Sequence, residues 1–192
     1  MLNRLFSVIV TFWIVVVLLS CGKQGNAPSA ECAGVHYCLN ALINQRLDAY
    51  AQSGAIVNKY VYLNGKEEQQ VVTLDGVRWE AEFTAFREAD IDKAALNGKY
   101  LVDTLFVETD SFTRVSYIAQ DDKLRTRYVH LYFQPGQLEP SYIEARLETK
   151  NVFYQSVQEL EFYPGNYYSI KGFQDIWLLG VDSFAVRSTF VN

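Results

Sequence analysis

The chain has 192 residues, with 17 Lys and Arg against 22 Asp and Glu, 49% hydrophobic residues and 15% aromatic ones. A formal net charge of −5 with no Lys/Arg cluster excludes a phosphate-tracking surface, so nucleic acid is not an expected partner, nor is electrostatic binding to a membrane. The length suits one well-packed domain, and the lack of a fixed-period repeat or low-complexity tract disfavours solenoids and fibres.

Residues 1–20 read as a signal peptide, with Arg4 as its basic start, Leu5 to Leu19 as its apolar stretch and Ser20 as the small residue before the cut. Leu5 to Ser20 is 16 residues, short of the roughly 20 that span a bilayer core, which argues against an uncleaved membrane helix. Leu18-Leu19-Ser20-Cys21 resembles the lipobox of bacterial lipoproteins, Leu-x-(Gly/Ala/Ser)-Cys, at every specified position. The resemblance implies cleavage before Cys21, diacylation of its sulfur and acylation of its freed amine. Several acyl chains exceed the one-chain limit for reversible membrane binding, so anchoring is expected to be permanent. In enterobacterial sorting an aspartate after the acylated cysteine implies inner-membrane retention. Gly22 stands there, so the similarity implies the outer membrane. Gly22-Lys23-Gln24-Gly25 also lacks the acidic residues typical of surface-exported lipoproteins of Bacteroidetes, which favours the periplasmic face. The resemblance covers residues 1 to about 22 and does not reach the rest of the chain. Losing Arg4 leaves 16 basic against 22 acidic residues, a mature charge of −6.

Residues 21–31, small and polar with one proline, have the composition of a flexible lipidated tether, leaving residues 32–192 as a single domain. With Cys21 committed to lipid, Cys32 and Cys38 remain as an even pair in an oxidising compartment, and a disulfide is expected. Two free thiols are one alternative. A metal site from Cys32, His36 and Cys38, with Glu31, is another, although the spacing matches no closed zinc pattern. No metal and no cofactor are expected.

Leu39, Leu42, Ile43, Leu47 and Tyr50 share one face of a predicted helix over residues 35–52, ended by Gly54. Val57 to Leu63 and Gln69 to Leu74 flank Asn64-Gly65, the dipeptide favoured by a type I′ hairpin turn. Asp75 can cap a second amphipathic helix carrying Trp79, Phe83, Phe86 and Ala89, with Trp79 as its anchor in the core. From Tyr100 onward the pattern is strand-like. Predicted strands cover residues 100–108, 112–119, 124–133, 141–149, 157–163, 167–173 and 184–191, with a further one around Ile176 to Leu179. Short turns at Asp121-Asp122 and Pro164-Gly165 favour antiparallel neighbours. The expected fold is α+β: a predominantly antiparallel β-meander, as a curved sheet, half-barrel or sandwich, with two helices near the N-terminus of the mature domain.

The chemistry-bearing residues are few. There are only two histidines, His36 and His130, and there is no Gly-x-Ser-x-Gly elbow, His-Glu-x-x-His helix, phosphate-binding glycine loop or Ca²⁺ loop. No catalytic residue is therefore assigned, and the chain is read as a non-enzyme. His130 between Tyr128 and Tyr132 either lines a ligand groove or is a hydrogen-bonded part of the sheet. Arg125 and Arg127 offer an anion site or simple surface charge. A groove could draw on Tyr117, Tyr128, Tyr132, Tyr142 or Tyr168, but a one-residue slip in register reverses every face. The function expected is a lipid-anchored cell-envelope protein whose β-rich domain binds a partner protein or an apolar or glycan ligand. Alternatives are a lipid or lipoprotein carrier similar to the LolA/LolB class, and an envelope hydrolase using an acidic pair or His130.

Overall fold

The computed structural model describes residues 32–107 and 111–191. The signal peptide over residues 1–20, the Cys21 lipidation site and the tether to residue 31 lie outside the described residues. From residue 32 onward the chain is α+β, a nine-stranded antiparallel sheet, most of it a β-meander, with a few short helices. It begins with helix α1 (Leu39–Ser53) and a hairpin of β1 (Ile56–Leu63) and β2 (Lys66–Thr73). Helices α2 (Gly76–Glu82) and α3 (Thr84–Glu88) and a 3₁₀ turn (Ala94–Leu96) follow. The meander is β3 (Tyr100–Val107), β4 (Phe112–Ala119), β5 (Thr126–Phe133), β6 (Tyr142–Lys150), β7 (Tyr154–Tyr163), β8 (Tyr167–Ile176) and β9 (Gly180–Phe190).

All nine strands form one unclosed sheet in the order β2-β1-β9-β8-β7-β6-β5-β4-β3, and every pairing is antiparallel. The meander runs across the sheet from β3 to β9, and the hairpin made first in the chain adds to β9 through β1. There is one sheet rather than two, so the layers are sheet and helix. Its free edges differ. β2 carries Lys66, Glu67 and Glu68, charges that discourage edge-to-edge association, whereas β3 has one charge, Asp103.

Strand alternation decides the faces. On β6, Ile143, Ala145 and Leu147 are buried, and Tyr142, Glu144, Arg146 and Glu148 point to the opposite, half-exposed face, as the sequence alternation predicts. Val129 and Leu131 on β5, Leu160 and Phe162 on β7, Tyr168 on β8 and Val57 on β1 complete the buried face. Against it α1 places Leu39, Leu42, Ile43 and Leu47, and the paired short helices place Trp79, Phe83 and Phe86. Phe83 lies 5.0 Å from Phe162 and 4.9 Å from Tyr168 between ring centroids. Tyr168 donates to Glu82, which also pairs with Lys59.

Several boundaries depart from the sequence expectation. α1 starts at Leu39 rather than residue 35, because the preceding residues are held in a tight loop by distant side chains. Gly54 ends it in the left-handed region at φ 64°, the conformation glycine adopts without steric cost. The helix predicted after Asp75 is two helices. Asp75 caps α2 by accepting from Arg78 N at 2.9 Å, but Phe83 (φ −96°, ψ 8°) breaks the run, so both its neighbours Trp79 and Phe86 can reach the sheet. Asn64 and Gly65 both have positive φ (48° and 84°), which is the type I′ turn. The strand expected over residues 176–179 does not exist. Ile176 ends β8, and Leu179 N donates to Ile176 O at 2.9 Å across a β-turn.

Candidate functional site

The outer face of the sheet, away from the helices, gathers most of the chemistry. By register, Ser116, His130, Glu144, Glu161, Ser169 and Arg187 follow one another directly across β4 to β9. Beside this polar row runs an aromatic one. Phe112 and Tyr132 lie 5.4 Å apart between ring centroids, Tyr132 and Tyr142 5.2 Å, Tyr142 and Tyr163 6.3 Å, and Tyr163 and Tyr167 6.3 Å. Arg187 closes the ribbon, its guanidinium 4.3 Å from the Tyr167 centroid. A third row of alternating charge, Arg146, Glu159 and Lys171, lies on the other side of the polar row, with contacts of 3.1 Å along it.

Two like charges stand directly opposite each other in the middle, Glu144 on β6 and Glu161 on β7. Such a pair is destabilising in a sheet unless something engages the carboxylates. Tyrosine hydroxyls do so: Tyr132 donates to Glu144 at 2.7 Å, Tyr142 to Glu144 at 3.2 Å and Tyr167 to Glu161 at 3.3 Å. Burial, reinforced by the Glu144 carboxylate, pushes the Tyr132 phenol up to about 12. Burial, with Tyr167 and the two glutamates adding to it, raises Tyr142 further. These phenols stay protonated and remain donors. Near Tyr163 the row opens into a depression of about 680 Å³ whose lining includes Arg46, Gln134, Gln137, Glu139 and Ser141.

The sequence candidates divide accordingly. Tyr128, Tyr132 and Tyr142 belong to this face, and Tyr117 and Tyr168 face the helices. His130 stacks on Tyr128 at 4.5 Å, and its Nδ1 is buried without a protein partner. Burial and then Arg114 lower its pKa, against an opposing pull from Glu144, so the ring is neutral near neutral pH. Ser116, His130 and Glu144 occupy adjacent strands in the order a hydrolytic triad would need. The geometry does not make one, since Ser116 Oγ is buried without a hydrogen bond and Glu144 is engaged by tyrosines instead of the imidazole. Arg125 pairs with Glu88 at 2.6 Å, and Arg127 donates to Asp121 O at 2.7 Å, so both arginines have structural partners. Phe112, Tyr163, Tyr167 and the Glu144/Glu161 pair were missed from sequence, because only the register brings them together.

A second cluster lies where the described chain begins. Cys32 and Cys38 form a disulfide with their Cα atoms 5.5 Å apart. Within that loop, Gly34, Val35 and His36 donate their N–H groups to the Asp92 carboxylate at 3.0, 2.7 and 2.8 Å. Asp90 in turn accepts from Asn40 N at 2.9 Å and from Asp92 N at 2.9 Å, capping α1 from 50 residues away. The two sulfurs and an Asp92 oxygen lie within 4.8 Å of one another. The sulfurs are bonded to each other, not free thiolates, and the carboxylate is filled by N–H donors. His36 is turned away from them, its Nε2 3.4 Å from Leu96 O and its ring edge-on to Tyr100 and Tyr117. Closing so short a loop gives the disulfide about 2 kcal/mol on the chain-entropy model. Cys32→Ser/Cys38→Ser should lower unfolding free energy by about that amount, as should reduction of the native protein. Urea titration with and without reductant checks both.

Among the described residues no helix is long and apolar enough to cross a membrane. The chain matches no known protein-family model, and no similar sequence is found among curated proteins.

Proposed function

We propose that the chain is a non-enzymatic, lipid-anchored protein of the cell envelope, held by Cys21 on the periplasmic side of the outer membrane, which binds a glycan on the outer face of its sheet. The tyrosine row beside the Glu144/Glu161 pair is the observation that carries this reading. Sugars present C–H faces that pack on rings and hydroxyls that donate to carboxylates, and this face offers both in adjacent rows. The rings are inclined by 46° to 79° to one another, so a ligand meets separate rings with polar groups between them instead of one flat platform. The adjoining depression mixes polar groups, Arg46, Gln134, Gln137, Glu139 and Ser141, with Leu138, Pro140 and Pro164, and a sugar, which has both apolar faces and hydroxyls, matches such a lining. The carrier reading has weaker support. The space between helices and sheet, where a lipid would sit, is filled by Trp79, Phe83, Phe86, Phe162 and Tyr168.

An array of bacterial envelope glycans probed with the full-length lipidated protein in micelles tests the proposal. Binding that Tyr142→Ala weakens at least about tenfold, a loss of about 1.4 kcal/mol, is the expected result. Tyr142→Phe should fall between the two, keeping the ring and losing the donor to Glu144. Absence of binding to every glycan, or equal binding by native protein and Tyr142→Ala, overturns the assignment.

A further inference from the structure

The turns β6–β7 and β8–β9 project from the same end of the sheet, since Tyr154 at the start of β7 pairs with Ile176 at the end of β8. Together they expose six large apolar side chains: Val152 (86%), Phe153 (62%), Trp177 (64%), Leu178 (83%), Leu179 (81%) and Val181 (65%). The two turns are joined. Trp177 N donates to Phe153 O at 3.0 Å, and the two rings lie 5.8 Å apart. Leu178 occupies the third position of its turn at φ 79°, a conformation that favours glycine, so a bulky aliphatic residue is held outward where the local backbone would accept a smaller one. Apart from the Phe153–Trp177 contact, folding gains nothing from holding these six apolar side chains in water.

We propose that this double tip inserts into the interfacial region of the bilayer, giving the domain a second contact with the membrane besides its acyl anchor. The inference rests on the reading of Cys21 as lipidated. From Cys21 to Cys32 the fully extended chain reaches about 36–40 Å, comparable to the length of the longest strand, so the anchor keeps any end of the domain within reach of the surface. Tryptophan with leucine, valine and phenylalanine is the composition that partitions at the boundary between headgroups and acyl chains. The shallow depression of about 200 Å³ between the two turns is bordered by Val152, Phe153 and Trp177 together with Asn151, Gln155 and Asp175, and a deformable bilayer fills such a surface without a matching shape. Asp175 and Asp182 flank the tip against one cation, Lys150 at the end of β6, so there is no net attraction to anionic headgroups, and apolar burial drives insertion into a zwitterionic surface.

Trp177 supplies the probe. Trp79 is fully buried, and cleavage before Cys21 would remove Trp13, so quenching by additives is read as the difference between native protein and Trp177→Phe, which isolates Trp177 whether or not Trp13 is retained. The full-length lipidated protein is reconstituted in phosphatidylcholine vesicles carrying a doxyl group near the headgroup end of the acyl chain. Insertion predicts doxyl quenching of Trp177 and about twofold protection from aqueous acrylamide, both lost in Leu178→Gly/Leu179→Ser, which keeps the turn and the probe. Acrylamide access unchanged by vesicles overturns the proposal, as does self-association that buries Trp177 without lipid. Intact mass reads Cys21 acylation separately. If that mass shows no acyl chains but Trp177 is still quenched by doxyl lipid, the anchor reading fails and the tip contact stands.

Discussion

Trp79→Ala is expected to destabilise the chain by about 3–5 kcal/mol, a large share of the 5–15 kcal/mol typical of a domain. The indole is fully buried where α2 meets the sheet. It stacks on Phe190 of β9 at 5.8 Å with planes 12° apart, and it touches Tyr50 of α1 at 5.2 Å and Tyr168 of β8 at 6.3 Å. Four elements therefore lose packing at once, and a cavity this enclosed by rings cannot collapse without moving a helix. The indole Nε1 is buried with no protein partner. Trp79→Phe removes that orphan donor along with part of the ring, so its cost should stay below about 2 kcal/mol. Denaturant unfolding of the full chain distinguishes the two. Equal losses for Phe and Ala would mean that the indole nitrogen, not ring volume, holds the helices to the sheet.

Trp79 was legible as an anchor because its spacing to Phe83 and Phe86 is helical, yet the break at Phe83 was not. The break lets Trp79 and Phe86 address different strands, and that requirement comes from the sheet, not from local propensity. The meander was readable wherever one face is dry, as on β6, where Ile143, Ala145 and Leu147 alternate with polar residues. It failed at residues 176–179, where Trp177-Leu178-Leu179 has the composition of a buried strand but lies exposed in a turn. Apolar content reports burial only when burial is why those residues are there. The tyrosine face was half visible. Tyr128 and Tyr132 share a face by alternation alone, but Tyr163 and Tyr167 join them only through pairings fixed by neighbouring strands. Local pattern fixes the face within a strand, and long-range register fixes what stands beside it.

Asp92 illustrates the same limit, and its substitution carries the other large expected effect. Its three N–H donors lie 56 to 58 residues away, so no local pattern marks it. Burial alone would raise its pKa, but the N–H groups of the loop, those of His36, Gly34 and Val35 foremost, outweigh burial and hold the carboxyl below the ordinary carboxylate value. Asp92→Ala leaves those donors without their buried acceptor in a loop that is itself only half-buried, and a loss of about 2 kcal/mol is expected at neutral pH. Because the folded pKa is lowered, the charged form's contribution is complete above the unfolded value of about 4 and disappears as pH falls through the folded value. Asp92→Asn keeps one neutral acceptor and does not titrate. The stability gap between native protein and Asp92→Asn should therefore be constant from neutral pH down to about 4 and narrow below it. A gap that persists unchanged in acid would assign the loss to side-chain shape instead of charge. The disulfide encloses the same loop, so Asp92→Ala combined with Cys32→Ser/Cys38→Ser should cost more than the sum of the two. With both constraints gone, residues 33–36 lose their covalent and their ionic tie at once, and only Asp90, through Asn40 N, still holds the first turn of α1.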